Sequence, residues 1–130
     1  MDETLKDILI NNSFLNPYIK QYKRYLSNNK VIVLGDITNI EKSIIDNNLE
    51  IDEIDYSGII IYEITEEIID ELLNKYYELN KELNIFIIDS NSEYDINLIN
   101  HLLKNKYDLV EEFIGDDKWK FILYKKNTTN

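Results

Sequence analysis

The chain has no cysteine, so disulfide bridges, thiolate metal sites and cysteine nucleophiles are excluded from the outset. Alanine is absent, and proline, arginine and histidine occur once each, as Pro17, Arg24 and His101. A lone histidine without a serine-centred elbow motif leaves no nucleophile–base set, so His101 reads as a surface or edge-packed side chain. No apolar run approaches the roughly 20 residues a membrane span requires. The opening MDETLKDILI is acidic and lacks the basic start and long apolar centre of a secretory signal, which points to a cytoplasmic protein without a membrane partner. Only three glycines are present, Gly35, Gly58 and Gly115. The abundant Ile, Asn, Lys and Tyr are residues of AT-rich codons, so the many Asn and Tyr follow base composition before chemistry. Glycines retained against that drift mark backbone positions that tolerate little else.

What is present is acidic and apolar. A formal net charge of −11 repels phosphate backbones and anionic lipid at long range, which argues against direct nucleic-acid binding. It is compatible with a basic protein partner, and it also keeps a small Ile-rich protein in solution. At 130 residues and 44% apolar content, the whole chain 1–130 reads as a single domain with a substantial core.

Three short runs organise that domain: VIVLGD ending at Asp36, GIIIYE at Glu63 and NIFIID at Asp89. Each is rich in Ile or Val and is followed by a helical pattern. Buried parallel strands have this character, because helices on both faces leave no polar face to alternate with. Residues 3–12 read as a first helix. Asn16–Pro17 reads as the cap and first position of a second, with Tyr18, Tyr22, Tyr25 and Leu26 along one stripe beside Lys20, Lys23 and Arg24. That aromatic stripe reads as a packing face, with base stacking as the alternative. Thr38 and Glu41 form a capping-box pattern ahead of a helix to about Asn47. LEIDEID at 49–55 is open between an edge strand and an acidic connection. Thr65, followed by Glu66 and Glu67, starts a helix burying Ile68, Leu72, Tyr76, Leu79 and Leu83, with Lys81 near its end. A last helix spans about 94–105. YDLVEEFI and KWKFILYKK around Gly115–Asp116–Asp117 read as an antiparallel hairpin with one face, Trp119, Phe121 and Leu123, turned inward. The expected architecture is therefore α/β: a three-layer α/β/α sandwich, mostly parallel, with a C-terminal antiparallel hairpin and preceding N-terminal helices.

YSGIIIYEITEEIIDELLNKYYELNKELNIFIIDSN and NLINHLLKNKYDLVEEFIGDDKWKFILYKK together resemble the second half of a class I S-adenosylmethionine-dependent methyltransferase. The order of strand, helix, strand, helix and closing antiparallel pair carries the likeness, and YIKQYKRYLSNNKVIVLGD resembles the opening helix and strand. The resemblance implies a Rossmann-like domain with S-adenosylmethionine as cofactor, held near Gly35, Asp36 and Glu63. The chain departs from the family in two places. Gly35 is followed by Asp-Ile-Thr-Asn without a second glycine, and the stretch between Gly35 and Ile59 is too short for both further strands, one of which carries the ribose-binding acid. Asp52 and Asp55 are the available acids there. A shortened, degenerate relative is implied, one that has lost independent catalysis and binds a small ligand or a protein.

Two further readings come from the acids. Asp36, Glu63 and Asp89 would line one sheet rim at about 4.8 Å per strand, a hard-oxygen set suited to Mg²⁺ or Mn²⁺ and phosphate chemistry. Alternatively, the surface carboxylates serve an inhibitor or immunity-type protein that fills the groove of a basic partner. The sequence leaves the oligomeric state and the substrate open.

Overall fold

The computed structural model describes residues 15–77, 79, 82–90, 96–114 and 119–127. Residues 15–23 form helix α1. Strand β1 (Lys30–Gly35) leads through a single turn at Ile37–Asn39 into α2 (Glu41–Asp46) and the two-residue strand β2 (Glu50–Ile51). Then come β3 (Gly58–Tyr62), α3 (Glu66–Glu71) continuing into a wider turn over Leu72–Tyr76, β4 (Asn84–Asp89), α4 (Ile96–Leu103), β5 (Tyr107–Ile114) and β6 (Lys120–Lys126). Among the described residues no helix is long and apolar enough to cross a membrane.

The six strands form one sheet in the order β2-β1-β3-β4-β6-β5. β2, β1, β3 and β4 are parallel. β6 runs antiparallel to both β4 and β5. This is the expected α/β sandwich, a doubly wound Rossmann-like sheet. The chain goes outward from β1 to β2 and then crosses back to β3, which puts the topological switch point between β1 and β3.

The sequence dictates the layering because strand side chains alternate between faces. Ile32, Leu34, Ile59, Ile61, Ile85 and Ile87 meet Ile68, Leu72 and Tyr76 from α3 and Ile99 and Leu103 from α4. Val31, Ile60, Tyr62, Phe86 and Ile88 meet Leu15, Ile19 and Tyr22 from α1 and Ile40 and Ile44 from α2. Every residue of β3 and β4 is buried, which is why their sequences are continuous Ile-rich runs. Each buried Ile contributes about 1.5–3 kcal/mol before chain entropy is charged. β6 is buried on both faces too, with Phe121 and Leu123 in one core and Ile122 and Tyr124 in the other. The one-faced hairpin expected from the sequence is corrected here: β6 is inserted between β4 and β5, where the α1–α2 core covers one of its faces and the α3–α4 core the other.

Local signals explain most helix ends. The Thr65 hydroxyl accepts from the Ile68 amide at 3.2 Å, with Glu66 and Glu67 in the first turn, as the sequence predicts. α2 closes with two amide bonds, Asn48 N to Ile45 O and Leu49 N to Ile44 O, both 2.9 Å. Asn48 takes φ 59°, the left-handed conformation that such a closure needs and that asparagine tolerates. Three expectations are corrected. Leu15 is already helical, so Pro17 lies within α1 and is not its first residue. α1 ends at residue 23, leaving Tyr25 37% exposed outside the packed stripe. The Thr38–Glu41 capping box does not form: α2 has Ile40 at its N-cap with no side-chain cap bond, and Asp36 caps the preceding turn instead. The expected helix 3–12, Lys81 and the turn at Gly115–Asp117 lie outside the described residues.

Candidate functional site

The sheet register sets Gly35 beside Tyr62 and Tyr62 beside Ile88. The next residues, Asp36, Glu63 and Asp89, therefore start from one rim, at the carboxyl ends of adjacent parallel strands. What each then does differs.

Gly35 has φ +113°, and a Cβ built on it would sit 2.3 Å from the Tyr62 carbonyl oxygen. The glycine is thus required by the close approach of the neighbouring strand. Asp36 turns back into its own loop, where its carboxylate accepts from the Thr38 amide at 3.0 Å and from the Thr38 hydroxyl. Those two donors hold its pKa below the ordinary carboxylate value, the hydroxyl contributing more.

Glu63 is held at φ 63°, an uncommon conformation for a side chain of its size. Its amide donates to the Ile88 carbonyl at 2.8 Å, and its carboxylate accepts from the Ser90 hydroxyl and from the Ser90 amide at 3.2 Å. Asp89 is only 2% exposed. Its Oδ1 accepts from the Ile64 amide at 3.1 Å, while Oδ2 is buried with no hydrogen-bond donor among the described residues. Burial pushes the Glu63 carboxyl above its ordinary value, and the Asp89 carboxyl beside it pushes the same way. A carboxyl whose pKa is higher folded than unfolded binds more protons in the native state. Its ionisation therefore destabilises the fold progressively as pH rises from 4.5 through the folded value. Glu63→Gln, which keeps the acceptor for Ser90, is expected to raise the urea midpoint near pH 7, with the gain shrinking toward about pH 4. Urea titrations of both proteins across that range check it, and a gain independent of pH would contradict it.

The three acids thus divide into a loop cap and a facing pair. Among the described residues no group of three or more His, Asp or Glu side chains is placed to hold a metal ion. Asp52, at the end of β2, is also occupied: it accepts from the amides of Ile54 (2.8 Å) and Asp55 (3.0 Å) and pairs with Lys30 at 3.4 Å. The amides hold its pKa below the ordinary value, with a smaller part from Lys30. Asp55 pairs with the same ammonium at 3.4 Å. His101 is exposed on α4. Trp119 packs against the α1–α2 core, its ring centroid 6.0 Å from that of Tyr62.

The concave feature of this region lies beside Gly35, along the outer side of β1. β2 pairs only with Lys30 and Val31 and stops at Ile51, so among the described residues the upper half of β1 has no strand on that side. A cavity of about 370 Å³ occupies the space. Ile32, Leu34, Gly35 and Ile37 form one wall, Ile51, Glu53 and Tyr56 the second, and Glu71, Lys75 and Tyr76 the third. The third wall is the wide turn of α3, in which the Tyr77 amide bonds back five residues to the Leu72 carbonyl at 2.9 Å. Such turns bulge a helix outward and recur at functional sites. Tyr56 and Tyr76 are both buried and meet edge to face, centroids 6.2 Å apart. Lys75 lies 5.4 Å from the Tyr76 ring centre. The Tyr76 hydroxyl is the main cause that holds the ammonium's pKa above its ordinary value, with lesser contributions from Glu71 and Glu53.

Of the residues that the sequence nominates for a cofactor, Gly35 lines this cavity, Asp36 adjoins it with its carboxylate bound to Thr38, and Glu63 faces Ser90 and Asp89. Sequence reasoning missed Glu53, Tyr56, Glu71 and Lys75, and it assigned Tyr76 to packing alone. The available signal was the brevity of the segment between Gly35 and Ile59, which has room for a helix but not for a full neighbouring strand.

No protein-family model matches the chain, and no curated protein matches it. A solved structure of a protein in the NADB-Rossmann superfamily from Streptococcus agalactiae is similar over 78% of this chain and 51% of that one, at 16% identity and a TM-score of 0.47. The chain spans about half the length of that structure. A likeness at this level carries no functional argument, and the fold assignment rests on the strand order and register above.

Proposed function

We propose that this chain is a methyltransferase-like binding module that holds its ligand in the cavity along β1 and carries out no methyl transfer of its own. The closing antiparallel pair and the strand–helix alternation support the likeness. The observation that carries the loss of the cofactor cradle is at Gly35. In the family resembled, glycines after the first strand let the backbone approach the cofactor. Here a single glycine stands at the strand end, required by the close approach of the Tyr62 carbonyl and followed by no second glycine, and the next loop is a single turn stapled by Asp36 and Thr38. The residues present do not fit an S-adenosylmethionine cradle of that kind.

The cavity itself suits a ligand. Its volume falls within the roughly 300–1,000 Å³ range of small-molecule sites, and apolar and aromatic walls with a few charged groups are the usual lining. Among the described residues that line it, apolar and aromatic side chains with Glu53, Glu71 and Lys75 supply contacts for binding. Calorimetric titration with S-adenosylmethionine and with its demethylated product is expected to give no binding heat at tens of micromolar protein, about the range where micromolar affinity is plain. Micromolar binding of either would overturn the lost-cradle half of the proposal.

A further inference from the structure

The cavity wall contains an unfinished ladder. The carbonyls of Asn29 and Val31 accept from the amides of Glu50 (2.8 Å) and Asp52 (3.1 Å), which fixes the side of β1 that these alternate residues face. In a parallel ladder, alternate residues turn both main-chain groups toward the same neighbour. Val33 is next in that series, and β2 has already ended. Its N–H and C=O therefore point into the cavity, and among the described residues no strand pairs with it there. The Val33 side chain packs into the α1–α2 core on the far side of the strand, so its share of the cavity wall is main chain.

The rest of the lining discriminates among ligands that offer a donor and an acceptor side by side. Below the edge lie the rings of Tyr56 and Tyr76, and around them the exposed carboxylates of Glu53 and Glu71. Two carboxylates face one ammonium, Lys75, which leaves net negative charge. Ile51 at the end of β2 and Ile54 beyond it are 40% and 88% exposed and extend the apolar surface outward. A net charge of −11 draws cations toward the molecule and turns anions away.

We infer that the cavity is a strand-addition site for an extended peptide bearing lysine or arginine. The peptide main chain pairs with Val33, and its cationic side chain lies along Tyr56 and Tyr76 toward Glu53 and Glu71. Added strands gain affinity from main-chain hydrogen bonds and specificity from pockets that take alternate side chains. Long cationic side chains suit an aromatic floor with carboxylates beyond it, because the stem stays dry while the head stays paired. The inference rests on the reading of the cavity as a ligand site, and the experiment separates the two.

The probe is a five-residue, end-capped peptide alternating valine and lysine, titrated into the isotope-labelled chain at low salt and followed by amide shifts. The expected result is a shift and slowed exchange at the Val33 amide, with the valine–glutamate counterpart binding at least about tenfold more weakly. Val33→Pro deletes the edge donor, and proline is tolerated on an edge whose N–H faces outward, so this variant is expected to fold and lose binding about tenfold. Should Val33→Pro fail to fold, N-methylation of the peptide's central residue removes the same pairing from the other side and is expected to cost as much. Binding indifferent to both changes, or shifts that spare Val33, overturns strand addition. So does self-association of the chain that Val33→Pro abolishes, since the edge would then serve a second copy. If neutral small-molecule fragments shift Ile51 and Tyr56 while the peptide does not, the cavity stands as a ligand site and strand addition falls. If neither shifts them, both fall.

Discussion

Gly35→Ala is expected to lower stability by about 4 kcal/mol, a large part of the 5–15 kcal/mol that holds a typical domain together. Two costs combine. The backbone at φ +113° is one that L side chains rarely adopt, worth about 1–3 kcal/mol of strain. The added Cβ also meets the Tyr62 carbonyl oxygen at 2.3 Å, and that oxygen is main chain at the last pair of the parallel ladder. Relief would require β1 and β3 to part at the rim, where Glu63 is itself pinned to Ile88 and Ser90. A urea titration by circular dichroism checks this: the midpoint should fall steeply while the slope stays near that of the unmodified chain. A change below about 1 kcal/mol would mean that the close approach at the rim is not as described.

Gly58→Ala is expected to cost about 3 kcal/mol, through a contact with a different origin. A Cβ there would lie 2.1 Å from the Tyr22 hydroxyl oxygen and 2.5 Å from Leu26 Cδ2. A flexible side chain would swing aside cheaply, but Tyr22 cannot. It is 1% exposed, its ring stacks on Phe86 at 4.9 Å, and its hydroxyl donates to the Asn84 carbonyl at 2.7 Å. Complete burial accordingly pushes its pKa well above the ordinary tyrosine value. Tyr22→Phe removes the nearest clashing atom, leaving the ring carbon at 3.1 Å and the mobile end of Leu26 at 2.5 Å. In a double-mutant cycle the two substitutions should therefore couple favourably by about 1 kcal/mol. Strict additivity would show that α1 does not dock over Gly58 through this side chain.

The strands and their layering were legible because burial on both faces writes itself as unbroken apolar sequence. VIVLG, GIIIY and NIFIID each became the expected parallel strand, and Thr65 became the expected cap. What failed were signals that depend on competition between equivalent partners. Thr38 and Asp36 both suit a helix start, and Asp36 caps a tight turn that takes in Thr38 and its amide, so α2 begins at Glu41 without a side-chain cap. The hairpin's inward face was only half seen, since nothing in KFILYKK tells whether its other face meets water or the layer of α3 and α4. The rim was legible as a place, but its chemistry was not. Which carboxylate folds back on its own loop and which faces another depends on φ at Glu63 and on the reach of Ser90, neither of which periodicity encodes. The cavity was legible only as a shortage of residues, because a missing stretch of strand leaves no motif behind.

The strand order has a temporal consequence. β5 touches the sheet solely through β6, yet it precedes β6 along the chain. During synthesis β1, β3 and β4 can assemble with their helices while β5 waits as an unpaired ribbon, its main-chain groups and Tyr107 lacking the cover they have in the finished sheet. Only when residues 120–126 slide between the two does that ribbon gain a seat. Truncated or stalled products ending before β6 would thus expose the flank of β4 and the unpaired edges of β5 together, making β6 the step that separates a soluble product from a sticky one.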